Sequence, residues 1–209
     1  MKKSLGTIVL LIFAAMLIGA CIPAPSDSAM PEGDSQSNAE EPSEQEQPAE
    51  QDIEEEQAVI FPDWYSSELT DVNTGMVFRV ADFQGKVVLV ETMAVWCSNC
   101  FRQQSEVKRL HELLGDREDF VSLGIDIDPN EDVPLLTGYV KNNGFDWLYV
   151  VAAEELVNEI SELYGTQFLN PPSTPMLIID KQSEAHLLPF GIRSAEELQS
   201  LLMPFFEDI

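Results

Sequence analysis

"KVVLVETMAVWCSNC", residues 86–100, runs from an apolar, β-branched segment directly into two cysteines that are two residues apart. Its first part, Lys86–Thr92, is typical of a buried central strand. Cys97 then stands where a helix begins, because Val107 and Leu110 keep a helical spacing downstream. We therefore expect a strand that leads through Cys-x-x-C into a helix, and the rest of the fold prediction depends on this element.

Strand-like and helix-like segments alternate through residues 61–209. The predicted strands are 76–80, 86–92, 120–127, 147–151, 176–180 and 186–190. The predicted helices are one that opens at the two cysteines and stops at Gly115, and those at 131–142, 154–164 and 195–205. The alternation predicts an α/β fold with helices on both faces of one sheet. Because the last two strands are close enough to form a hairpin, we expect the sheet to be mixed.

The N-terminal residues 1–20 have the pattern of an export signal, with lysines before an uncharged apolar core. Gly19 and Ala20 precede Cys21, which resembles the lipobox of bacterial lipoprotein precursors and implies lipidation of Cys21 after cleavage. The alternative is an uncleaved transmembrane anchor, but the apolar run is shorter than the ~20 residues that span a bilayer. Both interpretations predict an extracytoplasmic, membrane-tethered protein.

The composition of residues 21–60 predicts a disordered tether that begins with the lipidated cysteine. From residue 22 to residue 60 the chain has 12 acidic residues and no Lys, Arg or aromatic residue. Such a segment buries too little apolar surface to offset its chain entropy. Residues 61–209 are then long enough for one domain with a substantial core.

The charge of the chain excludes some partners. Its formal net charge is −26, and the 25 acidic and nine basic residues after residue 60 leave that domain at −16. A surface of this sign repels nucleic acid and anionic lipid headgroups. We therefore expect no nucleic-acid partner, and membrane association only through a lipid anchor.

The two cysteines fit a redox pair better than the alternatives. Cys97 would lie at a helix N-terminus, where free amides and the helix dipole favour the thiolate, so Cys97 is the expected nucleophile. Cys100, one turn further on, is the expected resolving thiol. A structural disulfide remains the alternative in an oxidising compartment, although a four-residue loop constrains the unfolded chain little.

A metal site or a haem site at the cysteines lacks ligands. Zinc sites use about four ligands, and only His111 and His186 remain, neither of them in a paired motif. Both histidines are expected at the surface or half-buried. A c-type haem needs a histidine after the second cysteine, where Phe101 stands. We expect no metal and no cofactor.

The stretch quoted above, together with "YGTQFLNPPSTPMLIIDKQSE" at 164–184, resembles the TlpA/ResA-like thiol–disulfide oxidoreductases of the thioredoxin superfamily. The resemblance covers 61–209, and the segments between Glu131 and Val151 resemble the helix–strand insertion of that group. It implies a thioredoxin fold and a membrane-anchored enzyme that reduces disulfides in exported proteins. It also suggests a role in cytochrome c maturation and a membrane electron donor of the CcdA/DsbD kind.

The resemblance assigns roles to four further residues. Trp96 matches the aromatic residue that flanks the nucleophile, and Pro175 matches a cis-proline that follows the substrate-pairing residue, Thr174. Glu91 matches a buried acid that takes the proton from Cys100; a carboxyl in an apolar core has a raised pKa and suits this task. The alternatives are a solvated strand edge for Glu91 and a trans turn proline for Pro175.

Four positions depart from the family pattern. Gln103 replaces an acid, Ser105 replaces a proline, and Thr92 and Met93 replace an aromatic pair before the cysteines. These departures leave the particular client open.

Other functions fit the sequence less well. A thioredoxin-fold module could use the disulfide only to brace a docking surface. A peroxidase-related antioxidant protein would need a P-x-x-x-T-x-x-C motif, which is missing. Copper delivery is disfavoured by the narrow cysteine spacing and by the lack of a histidine partner.

Overall fold

The computed structural model describes residues 61–207, so the predicted export signal, tether and lipidation site at Cys21 lie outside the described residues. The strands are β1 (Leu69–Thr70), β2 (Val77–Phe78), β3 (Val87–Met93), β4 (Phe120–Asp126), β5 (Leu148–Val151), β6 (Met176–Ile179) and β7 (Ala185–Leu187). The helices are α1 (Asp63–Ser66), α2 (Ser98–Leu114), α3 (Val133–Asn143), α4 (Glu154–Tyr164) and α5 (Ala195–Phe206). No helix within 61–207 has both the length and the apolar character to cross a membrane.

Five of the strands form one mixed sheet in the order β5-β4-β3-β6-β7. β3 runs parallel to β4, and β4 runs parallel to β5. β6 is antiparallel to both β3 and β7. The predicted α/β fold with a mixed sheet is therefore confirmed, and α3 and β5 supply the predicted extra helix and strand.

The central strand β3 is buried along its whole length and separates two apolar cores. Leu89 and Met93 point into the core that includes the inner sides of α2, α3 and α5. Val88 and Val90 point into the core that α1 and α4 cover. Because side chains alternate along a strand, Glu91 lies on the same face as Leu89 and Met93, beneath α2.

Two predicted strands are shorter in the structure than the sequence pattern suggested. In 76–80, the Arg79 amide donates to Asp82 Oδ2 at 2.7 Å, and the chain turns into a 3₁₀ helix at Val80–Phe83. In 186–190, pairing ends near Pro189, which has no N–H to donate to a neighbouring strand. The other segments differ from their predicted bounds by a few residues at most.

Candidate active site

Cys97 and Cys100 form a disulfide at the N-terminus of α2, with Cα atoms 5.3 Å apart. Cys97 is the N-cap residue, and its Sγ accepts a hydrogen bond from the Cys100 amide at 3.1 Å. Cys97 is 2% exposed and Cys100 is fully buried. This amide and the start of the helix both lie at the Cys97 sulfur, and the assignment of Cys97 as the nucleophile stays a prediction.

The loop before β6 covers the start of α2. The Pro171 carbonyl oxygen lies 3.3 Å from Cys100 Sγ, so it can accept a hydrogen bond from the thiol in the reduced protein. The Asn99 side-chain amide donates to the Pro172 carbonyl at 2.8 Å. These contacts cover the Cys100 sulfur and hold the start of α2 against the loop.

Thr174 and Pro175 end this loop beside the central strand. Thr174 is buried and has a φ of 48°, a region that β-branched residues rarely occupy and that costs about 1–3 kcal/mol. Its amide donates to the Pro171 carbonyl at 2.8 Å, and the Pro175 carbonyl accepts from Thr92 at 3.2 Å. The Thr174 N–H is therefore engaged within the protein, and substrate pairing at Thr174 stays a prediction.

Trp96 presents an exposed ring next to the disulfide. The side chain is 60% exposed, while its indole Nε1 donates to Asp128 Oδ2 at 2.6 Å. The preceding amide, that of Val95, donates to Glu131 Oε2 at 2.7 Å. The acidic loop that follows β4 therefore holds the two residues before Cys97.

The sequence reasoning missed this loop, although a signal for it was present. Asp126 is the last residue of β4, a buried strand that runs parallel to β3, and Asp128 and Glu131 follow it. The carboxyl ends of neighbouring parallel strands meet at one edge of a sheet, and functional residues collect there. Polar residues after β4 were therefore candidates for contact with the residues after β3.

Asp126 is the buried member of this acidic group. Burial raises its pKa to about 8; a hydrogen bond from the Asp128 amide opposes the rise, and the Glu131 carboxyl adds to it. Asp126 Oδ2 accepts no hydrogen bond from any described residue. A proton on this oxygen, shared with Glu131, would satisfy both groups.

We expect the protein to lose stability as pH rises from about 4 through about 8 because of Asp126. Across that range the folded state holds a proton on Asp126 that the unfolded state has released, so the free energy of unfolding falls as pH rises. Asp126→Asn should flatten this dependence. Urea unfolding at pH 5 and pH 9 measures it, with Asp116→Asn on the exposed loop after α2 as the matched control. An unchanged slope in Asp126→Asn would contradict the assignment.

Glu91 lies in the middle of the sheet, so the solvated-edge alternative does not hold. It is 4% exposed, and its neighbours in the sheet are Gly124 of β4 and Met176 of β6. Burial raises the pKa of Glu91 well above its ordinary value, and the Gln104 side chain opposes the rise. Glu91 Oε1 has no hydrogen-bond partner among the described residues. Its role in proton transfer stays a prediction.

A neutral polar pair lies beside Glu91. The Tyr149 hydroxyl donates to Gln104 Oε1 at 3.1 Å, and both side chains are buried. Tyr149 fits there because position 124 is glycine: a Cβ on Gly124 would stand 2.5 Å from the Tyr149 ring. No cationic side chain among the described residues opposes the effect of burial on the pKa of Glu91. This environment favours the protonated carboxyl.

The positions that depart from the family pattern have structural roles of their own. Gln103 is fully buried; its Oε1 accepts from the Arg193 amide at 2.7 Å, and its Nε2 donates to the Arg193 carbonyl at 3.3 Å. Thr92 Oγ1 donates to the Phe168 carbonyl at 2.6 Å. Ser105 Oγ donates within α2, to the Phe101 carbonyl. Gln103 and Thr92 therefore tie the site to two loops.

Neither histidine is next to the cysteines in the fold: His111 lies in the last turn of α2, and His186 lies on β7. His111 is half-buried and stacks on Trp147 at 5.3 Å between ring centroids. His186 contacts Asp180 Oδ2 at 2.6 Å, and with Glu184 these residues bring three possible metal-ligand atoms within 4.8 Å of one another. Both Asp180 oxygens already accept hydrogen bonds, from His186 and from backbone amides of the β6–β7 turn. The cluster therefore braces the hairpin.

The sheet order, the disulfide at the start of α2 and the loop before β6 together define a thioredoxin fold. Solved structures with this fold include a thiol:disulfide interchange protein, thioredoxin family protein, from Chlorobium tepidum TLS, with a TM-score of 0.56 and 20% identity over 68% of this chain and 93% of that one.

Two further solved structures are similar. One is a secreted Mycobacterium tuberculosis disulfide oxidoreductase homologous to E. coli DsbE, with a TM-score of 0.54 and 16% identity over 68% of this chain and 98% of that one. The other is the pneumococcal exposed lipoprotein thioredoxin from Streptococcus pneumoniae strain TIGR4, with a TM-score of 0.53 and 21% identity over 66% and 98%. No protein-family model matches the sequence, and no curated protein matches it significantly.

Proposed function

We propose that this protein is a membrane-anchored, extracytoplasmic thiol–disulfide oxidoreductase that reduces disulfides in exported proteins. The observation that carries the proposal is the Cys97–Cys100 disulfide, with Cys97 as the N-cap of α2 and Cys100 buried behind it. A pair placed this way has one sulfur suited to attack and one suited to resolve. A disulfide that only braces the fold needs no such asymmetry.

The cycle proceeds in two exchange steps. The Cys97 thiolate attacks a substrate disulfide, forms a mixed disulfide and releases one substrate thiolate. Glu91 takes the proton from Cys100, and the Cys100 thiolate attacks Cys97 Sγ, which releases the second substrate thiolate and closes the Cys97–Cys100 disulfide. The substrate gains two electrons and, from solvent, two protons. A dithiol donor must then reduce the protein again.

The raised pKa of Glu91 supports its part in this cycle. A carboxylate with a raised pKa is a stronger base than an ordinary carboxylate, so proton transfer from the Cys100 thiol to ionised Glu91 costs less free energy. Because burial favours the protonated carboxyl, Glu91 must first release its own proton. The proposed substrate contacts are Trp96, Thr174 and Pro175. Trp96 has an exposed ring that an incoming substrate can contact directly, whereas Thr174 is buried.

The proposed location rests on the sequence pattern of the N-terminal residues, and the proposed partners rest on the family resemblance. We propose that residues 1–20 direct export and that a lipid on Cys21 holds the protein at the cell membrane. Two similar structures support an extracytoplasmic setting, since one is described as secreted and the other as an exposed lipoprotein. The proposed donor is a membrane protein of the CcdA/DsbD kind, and apocytochrome c is a proposed client.

Insulin reduction tests the activity. With dithiothreitol as the electron source, the protein should accelerate precipitation of the insulin B chain, and the variant that lacks both Cys97 and Cys100 should match the uncatalysed rate. Equal rates with and without the unsubstituted protein would contradict the proposal.

A further inference from the structure

A proton that Glu91 accepts lies in a closed core and needs a way out. Two polar neighbours, Gln104 and Tyr149, are buried and hydrogen-bonded to each other, so they do not lead to solvent. A third, the half-buried Tyr139, has a hydroxyl without a hydrogen-bond partner among the described residues. A route that reaches the surface through hydrogen-bonded side chains starts on another side of the carboxyl group.

A small internal cavity opens on that side. Its volume is about 10 Å³, and it is lined by Leu89, Glu91, Val107, Ser122, Leu123, Trp147 and Met176. A volume of roughly 10–15 Å³ holds one water molecule when polar groups are present to bind it. Glu91 Oε1 is an unpartnered polar atom, and Ser122, which pairs with Leu89 in the sheet, supplies a hydroxyl group. Both side chains are more than nine-tenths buried.

Ser122 connects this cavity with the surface. Its Oγ lies 2.9 Å from His111 Nε2, within hydrogen-bond distance. Ser122 and His111 also line a surface cleft of about 500 Å³, together with Asp146 and Trp147. The stacking of His111 on Trp147 holds the imidazole in place over Ser122. The hydroxyl therefore has the buried carboxyl on one side and a half-exposed imidazole on the other.

We propose that Ser122 and His111 form a proton relay that connects Glu91 with solvent through one water molecule in the cavity. The inference rests on the proposed function, because the relay serves the step in which Cys100 loses its proton. Protonated Glu91 donates to the water, the water donates to Ser122 Oγ, and the Ser122 hydroxyl proton passes to His111 Nε2. The imidazolium then releases its Nδ1 proton to the cleft, and the reverse sequence reloads Glu91.

The charges around the relay are compatible with proton transfer from Glu91 to His111. Burial lowers the pKa of His111 and Asp146 raises it, so burial favours the neutral imidazole that can accept a proton. Around Glu91 the nearby titratable groups are the hydroxyls of Tyr139 and Tyr149, whose pKa values burial raises, so both remain neutral. The carboxyl is thus the group in that core that exchanges a proton with the relay.

In a Cys21→Ser background, which removes the third cysteine of the chain, the reaction of the reduced protein with 5,5′-dithiobis(2-nitrobenzoate) separates the two exchange steps. Attack by Cys97 releases one coloured thiolate, and attack by Cys100 on the mixed disulfide releases the second. We expect Ser122→Ala and His111→Phe to slow the second phase by about tenfold at pH 7, less than the roughly 10²–10⁴ that a positioned proton-transfer group contributes, because Glu91 itself is retained. The first phase should keep its rate. Phenylalanine preserves the stacking on Trp147.

Three controls keep the test specific. Ser122→Thr retains the hydroxyl and should keep the second phase, and His186→Phe, which changes the other histidine, should leave both phases unaltered. Imidazole added to His111→Ala should restore the second phase, because a free base can take the proton from Ser122.

An unchanged second phase in Ser122→Ala and His111→Phe would overturn the relay, as would equal slowing of both phases or a slowed second phase that imidazole leaves slow. If the unsubstituted protein shows neither phase, the proposed function fails and the relay fails with it. A normal insulin assay with an unaltered second phase in the variants refutes the relay alone.

Discussion

Cys97→Ser is expected to abolish insulin reduction, whereas Cys100→Ser is expected to trap the substrate as a mixed disulfide. The difference follows from the positions of the two sulfur atoms. Cys97 caps α2, and its sulfur accepts a hydrogen bond from the Cys100 amide, whereas the loop at Pro171 covers Cys100. A thiolate at the capped position can attack an incoming disulfide. Without Cys100 nothing displaces the product from Cys97.

The chain has three cysteines, so the experiment uses a Cys21→Ser background, which leaves only Cys97 and Cys100 before either of them is substituted. Non-reducing mass spectrometry after incubation with oxidised insulin should find a covalent adduct with Cys100→Ser and none with Cys97→Ser. Ser105→Ala, a change on the exposed side of α2, is the control that should retain full activity. Adducts on Cys100 in the Cys97→Ser variant would reverse the assigned roles.

Glu91→Gln is expected to lower the rate of the resolving step by about 10²-fold at pH 7, because a positioned acid–base group contributes roughly 10²–10⁴. The amide keeps the shape of the carboxyl but cannot take the proton of Cys100. The second phase of the dithiobis(nitrobenzoate) reaction measures this rate. The first phase should change little.

The same substitution should stabilise the protein in alkaline solution. Burial raises the pKa of Glu91, so ionisation of this carboxyl in the folded state costs free energy that glutamine avoids. Urea unfolding at pH 9 should show a higher midpoint for Glu91→Gln than for the unsubstituted protein. Glu112→Gln, on the exposed side of α2, is the matched control. If Glu91→Gln slows the second phase but does not raise the urea midpoint at pH 9, the Glu91 carboxyl is more exposed to solvent than the structure shows.

Much of the fold could be predicted from local patterns. The apolar run of β3 predicts a central strand, and the helical spacing of apolar residues after Cys97 predicts α2. The buried position of Glu91 was predictable because an acid inside such a run has no solvent on either face of the sheet. The short strands were harder, since the hydrogen bond from Arg79 to Asp82 and the missing N–H of Pro189 end them locally.

The parts of the site that could not be predicted are contacts between segments distant in sequence. In the sequence, Gln103 could be described only as the residue that replaces an acid of the family pattern. In the structure, its side chain binds both backbone groups of Arg193, 90 residues away. His111 appeared only as an unpaired histidine, because its contact with Ser122 depends on how α2 lies over β4. Nothing in local periodicity encodes that register. The cavity between Glu91 and Ser122 likewise depends on the packing of several elements.

The most direct test of the redox cycle is an equilibrium titration of Cys97 and Cys100 in the Cys21→Ser protein against ratios of reduced and oxidised dithiothreitol. We expect a reversible two-electron transition between dithiol and intramolecular disulfide, with a midpoint potential near that of thioredoxin, about −270 mV, because Ser98 and Asn99 add no charge that would make the pair strongly oxidising. A midpoint near −120 mV would indicate an oxidant instead of a reductant. Cysteines that stay oxidised throughout the series, or that fail to re-form the disulfide, would contradict the redox cycle itself.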